Sequence, residues 1–64
     1  MWTLYIDEEK IFSSEYKNDV LRVLYGFNEI GDVDLNNHSI TAMFWNEQEN
    51  SYETHTRNYE IVRS

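Results

Sequence analysis

The sequence contains no cysteine, no proline and only two glycines. Without cysteine the chain has no disulfides, thiolate metal sites or thiol nucleophiles, so it suits a reducing compartment and we expect it in the cytoplasm. No apolar run approaches the ~20 residues that cross a bilayer. The first residues also lack the basic start and apolar middle of a signal peptide. We therefore expect no membrane association.

Basic residues are also scarce. Five Lys and Arg face twelve Asp and Glu, which gives a net charge of −7. A surface of this sign repels phosphate backbones and anionic membranes, so we expect no direct binding to nucleic acid. It favours a basic protein partner instead, although the charge would by itself also keep a small domain soluble.

Aromatic residues are abundant, at 16% of a 64-residue chain. A chain this short forms one domain, residues 1–64, and buries only about 60% of its unfolded surface. Large aromatic side chains compensate, because each of them buries an unusually large area.

A helical period occurs only once. Tyr16, Val20, Val23, Leu24 and Phe27 recur at spacings of three and four, which predicts a helix from Ser14 to Tyr25. A serine hydroxyl at position 13 or 14 would cap its start, and a glycine at position 26 or 31 would end it.

The remaining segments have the alternation or composition of strands. Residues 2–13 predict a hairpin with a four-residue type I turn, residues 39–45 a strand rich in β-formers, and residues 51–62 a long returning strand. The fold class is therefore α+β: a four-stranded antiparallel sheet, ββαββ along the chain, with one helix packed on one face. Residues 32–35 could add a short edge strand.

Two details of the last hairpin stay open. The apolar residues of the returning strand change parity between Thr56 and Tyr59, which a β-bulge near Arg57 and Asn58 would reconcile. A five-residue loop would pair Tyr52 with Phe44, whereas a four-residue loop would pair it with Trp45.

Candidates for chemistry are weak. The segment 32–37 copies the first ligand positions of a calcium loop, but it lacks the sixth-position glycine and the twelfth-position glutamate, so an Asx-rich turn is the simpler interpretation. Glu53 and His55 share a strand face, and His38 stands alone. We expect no metal, no cofactor and no catalytic activity, because a domain this small rarely encloses a pocket.

Apolar residues occur at both the odd and the even positions of the predicted strands, so they point to both faces of the sheet. Because one helix covers only one face, we expect large apolar side chains on the uncovered face. The first hypothesis is a protein-binding module with aromatic anchors and acidic residues that steer it toward a basic surface. The candidate anchors are Trp2, Tyr5, Trp45, Tyr52 and Tyr59, and the candidate acids are Asp7, Glu8, Glu9, Glu47 and Glu49.

A sharper version of this hypothesis is that the acids imitate a phosphate backbone, so that the protein inhibits a nucleic-acid-binding partner. In size and charge the chain resembles small acidic inhibitors from phages and mobile elements, which is a likeness of composition. The alternative is a structural protein with no catalytic activity, whose uncovered aromatic face closes into a homodimer.

Overall fold

The computed structural model describes all 64 residues, Met1–Ser64. It contains β1 (Trp2–Ile6), β2 (Glu9–Ser14), α1 (Lys17–Gly26), a 3-10 turn (Phe27–Glu29), β3 (Gly31–Asp34), β4 (Ser39–Asn46) and β5 (Ser51–Arg63). All neighbouring strands are antiparallel, in the order β2-β1-β5-β4-β3. The predicted α+β class is confirmed. The sheet has five strands rather than four, because the segment near 32–35 pairs with β4 as an edge strand.

The core lies between α1 and one face of the sheet. Helical spacing brings Val20 and Leu24 to the same side of α1, and both are fully buried there. The sheet contributes the other buried apolar side chains, which are Leu4, Ile6, Ile40, Ala42 and Tyr59. Burial of each Val, Leu or Ile side chain in this core contributes about 1.5–3 kcal/mol.

α1 begins three residues later than predicted, because Ser13 and Ser14 are the last residues of β2. The predicted serine cap is therefore wrong. The Ser14 hydroxyl instead accepts the Tyr16 N–H (3.1 Å) and donates to the Asp19 carboxylate (2.8 Å), which fixes the turn from strand to helix. Gly26 has helical φ of −58°, so it does not end the helix in a left-handed conformation, and the chain continues into the 3-10 turn.

The β1–β2 hairpin is confirmed, but its predicted four-residue type I turn is wrong. The turn consists of Asp7 and Glu8, both with positive φ (50° and 68°). Contacts to β5 compensate for this conformation: the Asp7 N–H donates to the Asn58 carbonyl, and the Asp7 carboxylate accepts the Asn58 N–H at 3.1 Å. A register shift in the hairpin then leaves Ile11 as the unpaired residue of a bulge.

β5 changes its neighbour along its length, and this explains its change of parity. Residues 51–58 pair with β4 and residues 59–63 pair with β1, without any shift in either register. The predicted bulge near Arg57 and Asn58 is therefore wrong. Tyr52 points away from α1 and Tyr59 points toward it, so the two parities belong to opposite faces of one regular strand.

β3 lies very close to β4. A Cβ at position 31 would lie only 2.1 Å from the Thr41 carbonyl oxygen, so Gly31 is required by this approach rather than by an unusual φ. The four residues of β3 pair with Ser39–Ala42, and β4 continues for four more residues without a neighbour on that side.

Candidate partner-binding surface

The end of the β4–β5 hairpin, residues 43–56, forms an arm, which we call the β4–β5 arm. It is two-stranded over residues 43–54, which extend beyond β3. The two strands are joined by a four-residue loop that pairs Trp45 with Tyr52, which decides between the two predicted registers. Neither strand has a second neighbour along this stretch, because β3 ends opposite Ala42 and β1 pairs only with residues 59–63 of β5. Two-stranded ribbons are marginally stable alone, so the arm is a natural place for a partner.

One face of the arm carries exposed apolar and aromatic side chains. Met43 is 54% exposed, Trp45 50% and Tyr52 62%. The two rings lie edge to face, with centroids 5.0 Å apart and an interplanar angle of 70°. Since α1 packs on the other side of the sheet, no element covers these three side chains, which we call the arm aromatic face.

The opposite face of the arm is held by polar and cation–aromatic contacts. The Arg57 guanidinium lies 4.4 Å from the Phe44 ring centroid and its Nη1 donates to Asp7 (3.3 Å). Farther out, one oxygen of Glu53 contacts both Asn46 Nδ2 (3.1 Å) and His55 Nε2 (3.0 Å). The hydrogen bonds from Asn46 and His55 hold the pKa of the Glu53 carboxyl below its usual 4.5.

The outer edge of β5 along the arm has unpaired backbone groups. At position 58 both the N–H and the carbonyl point to Asp7, away from β4. In a regular strand these groups alternate in direction, so Tyr52, Thr54 and Thr56 also direct theirs away from β4. No strand lies on that side, and we call these residues the open β5 edge.

The five acids singled out from the sequence lie in the two hairpin turns. Glu47 and Glu49 are exposed in the β4–β5 loop, and Glu8 and Glu9 are exposed at the β1–β2 turn. Asp7 is partly committed to the fold through Arg57 and Asn58. The β1–β2 turn lies beside Asn58, and with about 3.3 Å per residue the two turns are separated by roughly 23 Å along β5.

The five predicted aromatic anchors are divided between the two faces of the sheet. Trp45 and Tyr52 meet on the arm, and Tyr5 lies half-buried on the same side of the sheet, on β1. Trp2 lies on the α1 side, with Lys17 Nζ 5.0 Å and Arg63 Cζ 5.5 Å from its ring centroid. Tyr59 is a core residue, only 9% exposed, and burial raises the pKa of its hydroxyl above 10.0. It therefore lies outside the arm aromatic face.

Sequence reasoning missed Met43 as part of the surface, and it missed the open β5 edge. The sequence did contain a signal for Met43, because residues 43 and 45 of one strand point to the same face, so Met43 lies beside Trp45. The edge had only an indirect signal: the candidate edge strand is much shorter than β4, so part of the hairpin had to extend past it.

The segment that resembled a calcium loop is a closed turn. The Asp34 carboxylate accepts the backbone N–H groups of Asn36 and Asn37 and the Asn37 side-chain amide (2.7 Å). The hydrogen bond from the Asn37 side chain is the main cause that lowers the pKa of Asp34 below 3.8. Nowhere do three potential metal ligands among His, Asp and Glu come together.

A cleft of about 580 Å³ lies where the β1–β2 turn meets the start of β4 and is open to solvent. His38 and Tyr59 contribute to it, with ring centroids 5.5 Å apart, together with Tyr5 and Glu60. His38 has a positive φ of 49°, and its carbonyl accepts the Tyr59 N–H, so the histidine is part of the junction between β4 and β5.

Neither α1 nor the 3-10 turn has the length and apolar character of a membrane-crossing helix. Comparisons with protein-family models, curated proteins and solved structures find no match to this chain, so its interpretation rests on the surface described above.

Proposed function

We propose that this chain is a small acidic protein-binding module that occupies a basic surface of another protein. The observation that carries the proposal is the arm aromatic face: two aromatic rings in edge-to-face contact and a methionine, all half or more exposed, on a ribbon that ends in an acidic turn. Trp and Tyr dominate binding hot spots because they are large, rigid and amphipathic. Carboxylates around such anchors accelerate association with a basic target.

A protein partner fits the charges better than nucleic acid does. Exposed aromatics can stack bases, but such platforms normally lie in a basic groove. Here Lys17, Arg57 and Arg63 are packed over aromatic rings on the α1 side of the sheet, and the net charge is −7. Direct binding to DNA or RNA would have to overcome this repulsion.

The sharper form of the proposal is charge mimicry, in which the two acidic turns occupy positions that phosphates would take on the partner. The module would then inhibit a nucleic-acid-binding protein by competition. We place this activity in the cytoplasm, where a cysteine-free chain needs no oxidising environment. The module carries no cofactor and performs no catalysis in this proposal.

Affinity capture from the native host at low and moderate salt, followed by binding kinetics with the captured protein, tests the proposal. We expect a basic partner whose association slows steeply with salt. The double substitution Glu47→Gln with Glu49→Gln reduces the magnitude of the net negative charge, from −7 to −5. The matched control, Glu15→Gln with Glu29→Gln, makes the same change outside both acidic turns.

The first pair should slow association several-fold more than the control pair. Trp45→Ala should mainly accelerate dissociation, because anchor contacts form late in binding. Equal effects of the two charge pairs would argue against mimicry. A partner with an acidic surface would contradict the proposal as a whole.

The alternative function is self-association as a structural homodimer. The observation that favours it is the pair of unpaired strand edges on the β4–β5 arm, because open edges readily pair with a second copy. Sedimentation equilibrium over a concentration series distinguishes the two functions. A tight dimer that captures no other protein supports the alternative, whereas a monomer that captures a basic protein supports the proposed module.

A further inference from the structure

The open β5 edge differs from the outer edges of β2 and β3 in having no protection against strand pairing. Natural sheets protect edges with lysine, proline, bulges or very short strands. β2 has both Lys10 and the bulge at Ile11, and β3 is only four residues long. The open β5 edge, in contrast, combines a tyrosine with two threonines, which are good strand formers, in a regular strand without a bulge.

We propose that a basic, extended segment of the partner adds to the open β5 edge as a further antiparallel strand. This inference rests on the proposed function and specifies how the partner is held. The outward N–H and carbonyl groups of Tyr52, Thr54 and Thr56 supply the main-chain hydrogen bonds, which is the usual basis of recognition by strand addition. The edge of β4 beyond β3 is a poorer site, because only Met43 and Trp45 direct backbone groups outward there.

Charge determines which strand fits. The acidic β1–β2 turn lies at one end of the open β5 edge and the β4–β5 loop with Glu47 and Glu49 lies at the other. The separation of roughly 23 Å corresponds to about seven extended residues. A segment with Lys or Arg at both ends therefore places its positive charges beside both acidic turns.

A second copy of this chain is the less favourable occupant. Antiparallel pairing of β5 with β5 around Thr54 would place Ser51 of each chain opposite Arg57 of the other. The loop that contains Glu47 and Glu49 would then lie beside the β1–β2 turn of the other chain, with its Asp7, Glu8 and Glu9. This contact would bring acidic residues of the two chains together at both ends of the strand pair, and like charges that face each other destabilise the pairing.

The test uses two synthetic peptides with capped termini. The first has the sequence Lys-Arg-Val-Thr-Val-Thr-Val-Arg-Lys, and the second is identical but N-methylated at every amide of its central Val-Thr-Val-Thr-Val segment. Both peptides have the same charge, but only the first can form a strand. We expect the first to bind at low salt and to slow the amide hydrogen exchange of Tyr52, Thr54 and Thr56. We expect the second to bind at least about tenfold more weakly, which corresponds to about 1.4 kcal/mol.

Two substitutions at one position make the test independent of the peptide chemistry. Thr54→Pro removes an N–H that points away from β4, at the kind of edge position where proline is tolerated. Thr54→Ala retains that N–H and serves as the matched control. Thr54→Pro should weaken binding of the first peptide about tenfold, while Thr54→Ala changes it less than about twofold. The amide spectrum of each free variant verifies the fold, and the exchange experiment on the unmodified chain does not depend on either variant.

The outcomes separate this inference from the proposed function. Equal binding of both peptides, without protection at the open β5 edge, would overturn strand addition and leave a charge-driven module. Failure of both peptides to bind at low salt would remove support from the proposed function itself. Protection of the same three amides without peptide, increasing with protein concentration, would identify a second copy as the occupant and also overturn the inference.

Discussion

Residues 59–63 of β5 pair with β1, a strand against which α1 packs, whereas residues 51–56 have β4 as their only neighbouring strand. In the first segment Tyr59 is buried and Ile61 packs against the core. In the second, five of the six residues are exposed. One regular strand thus serves two purposes, because what differs is its surroundings rather than its backbone.

The two segments are also stabilised by different interactions. Around residues 59–63 most of the stabilising free energy comes from the burial of apolar side chains, which is large and does not depend on direction. Along the arm it consists of cross-strand pairs, such as Trp45 with Tyr52 and the shared threonine hydrogen bond between Thr41 and Thr56 (2.8 Å) at its base. Each such pair contributes roughly 0.2–1 kcal/mol. The arm should therefore open more easily than the core, as recognition elements commonly do.

The largest predicted effect tests the covered half. Leu24→Ala removes a fully buried side chain from α1 and should lower the free energy of unfolding by about 2–5 kcal/mol. That is a large share of the roughly 3–10 kcal/mol expected for a domain of this size. Urea denaturation monitored by circular dichroism measures the change. Met43→Ala, in the 54% exposed arm position, is the control and should change stability by less than about 0.5 kcal/mol. Similar costs for the two substitutions would contradict the division into a packed half and an open arm.

The next effect concerns the point where the arm begins. Gly31→Ala should cost about 1–3 kcal/mol, because the added Cβ would collide with the Thr41 carbonyl and the Ala42 side chain. Relief of this collision requires β3 to separate from β4, which would lengthen the open edge of β4. Faster amide exchange at Asp32 and Asp34, measured together with urea denaturation, would report the separation. Gly26→Ala is the control, since a Cβ at position 26 meets no atom within 4 Å. An unchanged stability of Gly31→Ala would contradict the close approach of β3 to β4 at this position.

Much of the fold could be predicted from the sequence, and the features that could not be predicted depend on contacts between residues far apart in the chain. Helical spacing identified the buried side of α1, and alternation with β-formers identified four of the five strands. The conformation of Asp7 and Glu8 could not be predicted, because the groups that compensate for it belong to Asn58 and Arg57, some fifty positions away. The change of parity in β5 suggested a bulge, because sequence alone did not show that β5 changes its neighbour from β4 to β1 after Asn58.

The candidate surface was predicted in part for the same reason. Trp45 and Tyr52 were both predicted as anchors, but the sequence left open whether the two residues pair, and Tyr59 has the same composition signal although it is buried. Residue type does not distinguish the two tyrosines. The face of the sheet on which each tyrosine lies does distinguish them, because Tyr59 points toward α1 and Tyr52 points away from it.

The third effect tests the edge-to-face contact between Trp45 and Tyr52 on the arm. A double-mutant cycle with Trp45→Ala and Tyr52→Ala should give a coupling energy of about 0.5–1.5 kcal/mol, as expected for an edge-to-face aromatic pair. Urea denaturation of the four proteins supplies the energies. The control cycle pairs Trp45→Ala with Tyr5→Ala, because Tyr5 lies on β1 opposite Glu60 and outside the arm. Its coupling should be close to zero, since separated sites behave additively. Equal coupling in both cycles would indicate that truncation of Trp45 disturbs the whole sheet.

The smallest effect concerns the polar side of the arm and depends on pH. Hydrogen bonds from Asn46 and His55 lower the pKa of Glu53 below 4.5, so the ionised carboxylate stabilises the folded arm. The contribution is present above pH 4.5 and is lost as the pH falls through the lower pKa of the folded state. Nuclear magnetic resonance titration of the side-chain carboxyl carbons should show a Glu53 midpoint below 4.5. In the variant Asn46→Ala the midpoint should move back toward 4.5, because the larger of the two hydrogen-bond contributions is removed.

Asp34 is the internal control: its pKa is lowered by Asn37 in the β3–β4 turn, so its midpoint should not move in that variant. If both carboxyls shifted together, the cause would be a general rearrangement or a change in overall charge, and the arm could not be regarded as a unit that carries its own polar contacts.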